Sequence, residues 1–369
     1  MLGAGELLLI SFLFLTSLNC LVTYICSSSC IKLASKKNDY LGAIKKLRKF
    51  DNYLLSTLLL VTAVIYVALM YFYFVSILEV SDYFIAFATI GGFITTLFTT
   101  FFSRLCYCYA CNFILKTKLD EYECFVENMF SLGRLFYPIF IVAFAVPTIY
   151  ILPFSMQIRE ILIGVFLAVF VLIYVASTTP FNILSLGAIR LKKGKIVDMV
   201  SKLFKEHGIK RYRIYYWDSS RSNDSNAMVT GFFRVNFFIS SSLVASIDEK
   251  ELEAVILHEI AHVKYKHVRS TIIHQTIYLL AIVGVLYYAI ISDNTSIYLV
   301  LIIILAFLLL MAISLKVTKK QEDEADLYVA KHGLGDALIS ALKKISFDDD
   351  EEDLVHGTID QRKANISKK

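Results

Sequence analysis

Two histidines and a glutamate in the stretch AVILHEIAHVKYKH, residues 254–267, are spaced for metal chemistry. Helical positions four apart share a face, so His258 and His262 direct two imidazoles at one ion while Glu259 projects about 100° round the axis. Such a pair leaves room for a third protein ligand and an open position. In that arrangement Zn2+ lowers the pKa of a water to about 7, and a nearby carboxylate takes its proton and returns it to a leaving nitrogen. The competing reading is a buried helix with polar trimmings. Against it stands the cost of burying one Glu and two His in an apolar run without partners.

Two helical imidazoles require a third ligand from elsewhere in the chain. The acidic stretch KKQEDEADLYVAKHG, residues 319–333, follows an apolar run and is placed to supply one. Taken alone it reads equally well as a solvated helix start, where acids are favoured by the macrodipole.

The rest of the chain must hold these pieces. Of its 369 residues 57% are hydrophobic and 14% aromatic, only 4 are Pro, and the mean hydropathy is +0.63, too apolar for an ordinary soluble protein. The net charge of +5, from 37 basic and 32 acidic residues, is spread over several loops with no aromatic-interleaved basic patch, which excludes nucleic acid as a partner. All seven Cys lie between Cys20 and Cys124, and their absence near the motif argues against an oxidising compartment for that part. Cys106, Cys108 and Cys111 lack the paired spacing of a zinc knuckle and fit an apolar helix better. The apolar N-terminus has no basic flank or clear cleavage site, so it reads as a retained first span.

Seven stretches are long and apolar enough to cross a bilayer: roughly 7–26, 53–78, 83–102, 135–152, 161–182, 271–292 and 297–316. Lys and Arg alternate between the loops joining them, with seven in 27–52, none in 79–82 and none in 293–296. The excess expected on the cytoplasmic side puts the N-terminus outside and the motif and C-terminus inside. Between the spans, LGAIRLKKGKIVDMVSKLFKEHG has helical periodicity ending at Gly208, and RYRIYYW and RVNFFISSSLV read as strands. A helix from about Glu249 carries the motif toward the sixth span. The chain thus divides into a region of about five spans (1–182), a soluble segment (183–270), a transmembrane hairpin (271–316) and a second soluble segment (317–369).

HEIAHVKYKH followed by EDEAD resembles the membrane zinc metallopeptidases that include the HtpX heat-shock protease and the type I CAAX prenyl protease. The resemblance implies an integral membrane α-helical protein with an α+β zincin-like metallopeptidase domain, one Zn2+ per chain, and hydrolysis of membrane-associated or prenylated proteins. The HtpX branch implies instead quality control of damaged membrane proteins. In the family's E-x-x-A-D pattern the third zinc ligand falls on Glu322 and a supporting acid on Asp326, leaving Asp323 and Glu324 as bystanders. Asn226 and Ala227 match a substrate-binding Asn-Ala segment, followed by a strand near 235–240 along which an extended peptide would pair. His356 and Arg362 match a closing His-Pro-x-x-x-x-Arg pattern in which Gly357 replaces the usual Pro; Arg362 there would stabilise a developing oxyanion. His267 matches a histidine of the CAAX branch, with a structural or substrate-facing part rather than a ligand's.

His274, near the start of the sixth span, is a functional candidate by position, or simply points to water. Expected partners are a peptide or protein substrate, prenylated in one branch, and membrane lipid. A rival of another class is a seven-span receptor or transporter carrying the motif by accident, which would function without metal. The charge alternation makes a direct prediction. A membrane-impermeant thiol reagent applied from outside should label single cysteines placed in 293–296 and spare those placed between Lys36 and Lys49; the reverse pattern would invert the topology.

Overall fold

The structure, a computed structural model, describes residues 4–37, 39, 42–43, 46–47, 101–102, 105–114, 149, 154–221, 224–291, 297–346 and 358–367. The chain divides into two compact units, Met1–Ala168 with Leu279–Phe307, and Val169–Tyr278 with Leu308–Lys369. The first contains helix α1 (Ala4–Lys37) and the short apolar helix α2 (Leu105–Ile114). Its small core joins Cys30, Ala34, Ala43 and Leu47 to Ala110, Cys111 and Ile114. Among the described residues, the cysteines of α2 form no metal-binding group.

One helix among the described residues is long and apolar enough to cross a membrane. It is the Met156–Ser177 part of α3 (Met156–Ser185), beginning five residues before the span predicted at 161–182. The predicted spans 7–26, 271–292 and 297–316 fall in or along helices. The spans at 53–78, 83–102 and 135–152 lie, but for a residue or two, outside the described residues.

The second unit carries the motif. Its sheet has strand order β1-β2-β4-β3, with β1 (Ile189–Leu191), β2 (Tyr212–Trp217), β3 (Ala227–Thr230) and β4 (Val235–Ser240). β2 and β4 run parallel, and the outer pairs are antiparallel. The central strands are apolar on both faces because both faces are covered. Ile214, Phe237 and Ile239 pack against α4 (Lys195–Glu206) and the motif helix, while Tyr215, Trp217 and Phe238 pack against the end of α3 through Ile183 and Leu186. α4 ends where the sequence places its cap: Gly208 has φ +76° and donates to Lys205 O. Its start differs, because Gly194 at φ +120° separates it from Ile189–Leu191, which pairs with Ile214–Tyr216 as strand β1.

After the short α5 (Ser241–Ser246) comes the motif helix α6 (Glu249–Lys264), buried along most of its length. A capping box fixes its start: Glu251 N–H donates to Asp248 and Asp248 N–H to Glu251. The same Glu251 carboxylate, almost wholly buried, accepts from Ser340 Oγ (2.6 Å) and Lys344 Nζ (2.7 Å) of α9 (Gly335–Ile345). α6 does not run on into the sixth span. It stops at Tyr265, Lys266 takes a left-handed φ of +59°, and α7 (His267–Ile291) begins afresh. α8 (Ile297–Lys331) is one 35-residue helix that joins the seventh predicted span to the acidic stretch. The tail helix α10 (Ile359–Ile366), capped by Thr358, packs on α9.

The clamp at Glu251 is testable. Burial raises its pKa, but Lys344, Ser340 and the Asp248 amide outweigh burial and bring it from 4.5 down to about 2. A depressed carboxylate stabilises the fold fully above pH 4.5 and loses that contribution as pH falls toward 2. Glu251→Gln should destabilise by about 1.5–3 kcal/mol near neutrality. In thermal denaturation in detergent, the gap between parent and variant should close on acidification below pH 4.5.

Candidate metal centre

α6 and α8 bring three ligand groups together. His258 Nε2 lies 3.2 Å from His262 Nε2 and 3.3 Å from Glu322 Oε2, and His262 Nε2 lies 3.5 Å from Glu322 Oε1. Among the described residues, His258, His262 and Glu322 are the group of this kind able to hold a metal ion. The spacing can be checked against coordination chemistry. Ligands about 2.0–2.1 Å from a tetrahedral ion are roughly 3.3–3.5 Å from one another. The observed separations lie within about 0.1 Å of that range, the two to Glu322 falling on different oxygens of its carboxylate, and two imidazoles with one carboxylate suit a divalent cation.

His258 and Glu322 are buried together with Glu259. Desolvation lowers the His258 pKa, but Asp326 and Glu322 overcome it and raise the value to about 10. Electrostatically, the site is therefore a pocket of acids that demands positive charge at the imidazoles.

Behind His258 stands Asp326, one helical turn beyond Glu322 on α8 and wholly buried. Its Oδ1 lies 3.1 Å from His258 Nδ1, somewhat off hydrogen-bond alignment. Arg362, reaching in from α10, grips the same carboxylate with both arms of its fork: Nε donates to Oδ2 at 2.7 Å and an Nη to Oδ1 at 2.6 Å. Burial raises the Asp326 pKa, yet Arg362 and His258 hold it below the usual carboxylate range. Arg362 is thus buried against Asp326, and His356 lies outside the described residues.

Behind His262 stands a second chain of contacts that the sequence conceals. His267 Nδ1 lies 3.0 Å from His262 Nδ1, and its Nε2 lies 3.0 Å from Glu324 Oε2. On an unbroken helix, positions 262 and 267 would point about 140° apart. The left-handed turn at Lys266 ends α6 and lets His267, now opening α7, fold back onto His262. Glu324, a bystander by motif, is drawn in the same way. Nothing in the residue types near 266 signals the turn, since a left-handed Lys is uncommon.

Asn226 and Ala227 lie at the start of β3. Asn226 N–H donates to Ser240 Oγ (2.9 Å), and Asn226 O accepts from Ser240 N–H (3.0 Å). The expectation that a peptide pairs along 235–240 is corrected by the sheet order. β4 lies between β2 and β3 with both sides hydrogen-bonded, so among the described residues the edge strands are β1 and β3, and β3 is the one that packs on α6. His274 lies 3.3 Å from Ser270 Oγ, one turn away on the same helix.

Residues 190–358 match the model of Peptidase family M48. Over 70 residues the chain is 39% identical to a protease HtpX homolog of Janthinobacterium sp. (strain Marseille). That match spans 18% of this chain and 23% of the relative. The fold is similar to the crystal structure of S. mikatae Ste24p, with a TM-score of 0.59, 17% identity and 99% of each chain covered.

Asp326 and Arg362 act on His258 through one line of contacts, which sets an expectation for metal affinity. Asp326→Asn and Arg362→Ala should each weaken metal binding by roughly 10–100-fold, measured by competition with a chelator. The double variant should lose little more than the worse single one, because the two changes break the same chain. Additive losses would mean that Arg362 acts elsewhere.

Proposed function

We propose, on the premise that residues 190–358 are a domain of peptidase family M48, that the chain is a membrane-embedded zinc-dependent endopeptidase. The observation that carries the reading is the convergence of His258 Nε2, His262 Nε2 and the Glu322 carboxylate at separations of 3.2, 3.3 and 3.5 Å, with Glu259 buried beside them on α6. Zn2+ suits two imidazoles and a carboxylate, and when bound it supplies the Lewis acidity that acidifies water and polarises a peptide carbonyl.

The chain's own groups do the rest. Glu259, next in sequence to a ligand, takes the proton of the attacking water on its carboxylate and passes it to the departing amide nitrogen. Asp326 faces Nδ1 of His258, which favours the tautomer that keeps the proton there and leaves Nε2 for the metal. On the other side the Nδ1 proton of His262 is donated to Nδ1 of His267, whose Nε2 proton is donated to Glu324; each imidazole gives one proton and keeps one lone pair. Arg362 balances the charge of Asp326 and so holds the His258 arm in place. The backbone of β3, from Ala227 to Thr230, offers an open sheet edge on which a peptide lies extended, held mainly by main-chain hydrogen bonds with little demand for one sequence.

The substrate is a membrane-associated protein. A prenylated one is favoured by the resemblance to the CAAX branch, and damaged membrane proteins are the alternative suggested by the HtpX branch. The charge alternation of the loops places the N-terminus outside and the site on the cytoplasmic face.

Glu259→Gln should retain bound zinc and lose about 10²–10⁴-fold in kcat. The assays are zinc content and cleavage in detergent, with a prenylated peptide beside the same peptide unmodified. A chain that binds no zinc, or a Gln variant as active as its parent, defeats the protease reading in favour of a receptor or transporter. Equal cleavage of both peptides removes the prenyl group from the specificity.

A further inference from the structure

We propose that the β3–β4 turn, Gly231–Arg234, is a bilayer-interface anchor that opens one end of the β3 edge to the membrane surface. Phe233 at its tip is 79% exposed, the highest value among the large hydrophobic side chains described. A single exposed apolar residue is ordinary on a protein surface. Three further observations set this one apart.

The first is rigidity. Gly231 has φ +99°, and a Cβ there would lie 2.2 Å from Arg234 O, so the turn is closed tightly enough to require glycine. Asn236 Nδ2 donates to Arg234 O and to Thr179 Oγ1, each at 3.0 Å, and Arg269 Nε donates to Phe232 O at 3.0 Å. Phe233 is presented by a built turn rather than a loose loop, so its ordering cost is met before any ligand arrives.

The second is level. Thr179, which holds the turn, stands two residues beyond Ser177, the last residue of the Met156–Ser177 span. Arg269 stands two residues before the apolar run from 271. Both helices that grip the turn thus reach apolar sequence within one helical turn of their contact with it. The third is chemistry. Arg269 lies over the Phe232 ring at 5.9 Å, Arg234 is exposed beside Phe233, and residues 227–236 contain no acid. Aromatic rings flanked by guanidinium groups suit the boundary where acyl chains meet phosphate headgroups.

A consequence follows for the substrate, resting on the protease reading above. β3 ends in this turn, so a peptide added along Ala227–Thr230 has one end at the lipid interface. The edge is suited to an extended segment that adjoins a membrane-held group.

The test uses the full chain in lipid nanodiscs, carrying Glu259→Gln so that cleavage plays no part. The chain's single Trp, Trp217, is 3% exposed under α3 and supplies a constant baseline. Phe233→Trp adds an indole whose emission should be lost when the acyl chains are brominated, while the Trp217 baseline is kept. Emission unchanged by bromination overturns the anchor and assigns the turn to a protein or peptide partner. In the active chain, Phe233→Ser should lower kcat/KM several-fold for a lipid-anchored peptide and leave the same peptide without its anchor unaffected. Equal loss on both peptides overturns the link to the membrane end of the groove. A chain that cleaves neither refutes the protease reading, and the quenching result stands on its own.

Discussion

A buried carboxylate must be matched by positive charge or by hydrogen bonds, and Asp326 is the point at which this structure meets that demand. It has no solvent exposure, faces His258 on one side and accepts both arms of the Arg362 fork on the other. The contact ties three distant stretches together: the motif helix, the end of the long α8 and the C-terminal α10. With Glu259 and Glu322 also buried nearby, the acids outnumber the one arginine among them. A divalent cation held by the two imidazoles and Glu322 would supply the remaining positive charge.

The support extends outward in layers. Glu251 joins the start of α6 to α9, and α9 in turn carries α10 and hence Arg362. The sheet packs against the other side of α6 through Ile214, Phe237 and Ile239. α6 is therefore held at its capped end, along its apolar face and through both imidazoles of the candidate metal centre. Holding a constellation this way keeps ligand geometry within the narrow tolerance that catalysis requires.

The two imidazoles are supported unequally. His258 leans on a buried carboxylate fixed by a bidentate arginine, a stiff and charge-balanced arm. His262 leans on His267 and through it on Glu324, which is partly exposed and also lies 3.8 Å from Lys320. The second arm begins at the left-handed turn of Lys266 and belongs to the helix that leads toward the predicted sixth span.

Most of the centre is legible because its information is local. His258 and His262 share a helix face by spacing and Glu259 follows from the same repeat, whereas Glu322 and Asp326 are singled out among the acids of 319–333 by the resemblance to the E-x-x-A-D pattern rather than by spacing. Gly208 ends its helix because left-handed φ favours glycine. Even Arg362 is visible as a residue, though the structure commits its guanidinium to Asp326, and a choice of partner between α10 and α8 is not written in either segment. What only the tertiary structure decided is pairing across distance. Strand β1 was concealed in a helical repeat because its only support is Ile214–Tyr216, some 25 residues later. The apolar runs of β2 and β4 identify strands but not their order, so the edge next to the motif helix passes from 235–240 to Ala227–Thr230 once β4 is seen between two neighbours. His267 and Glu324 joined the site because a non-glycine residue adopted a left-handed turn, an outcome set by packing on both sides rather than by the residue itself. Spacing within one helix is determined by 3.6 residues per turn, whereas contacts between elements depend on which surfaces the folded chain has left to bury.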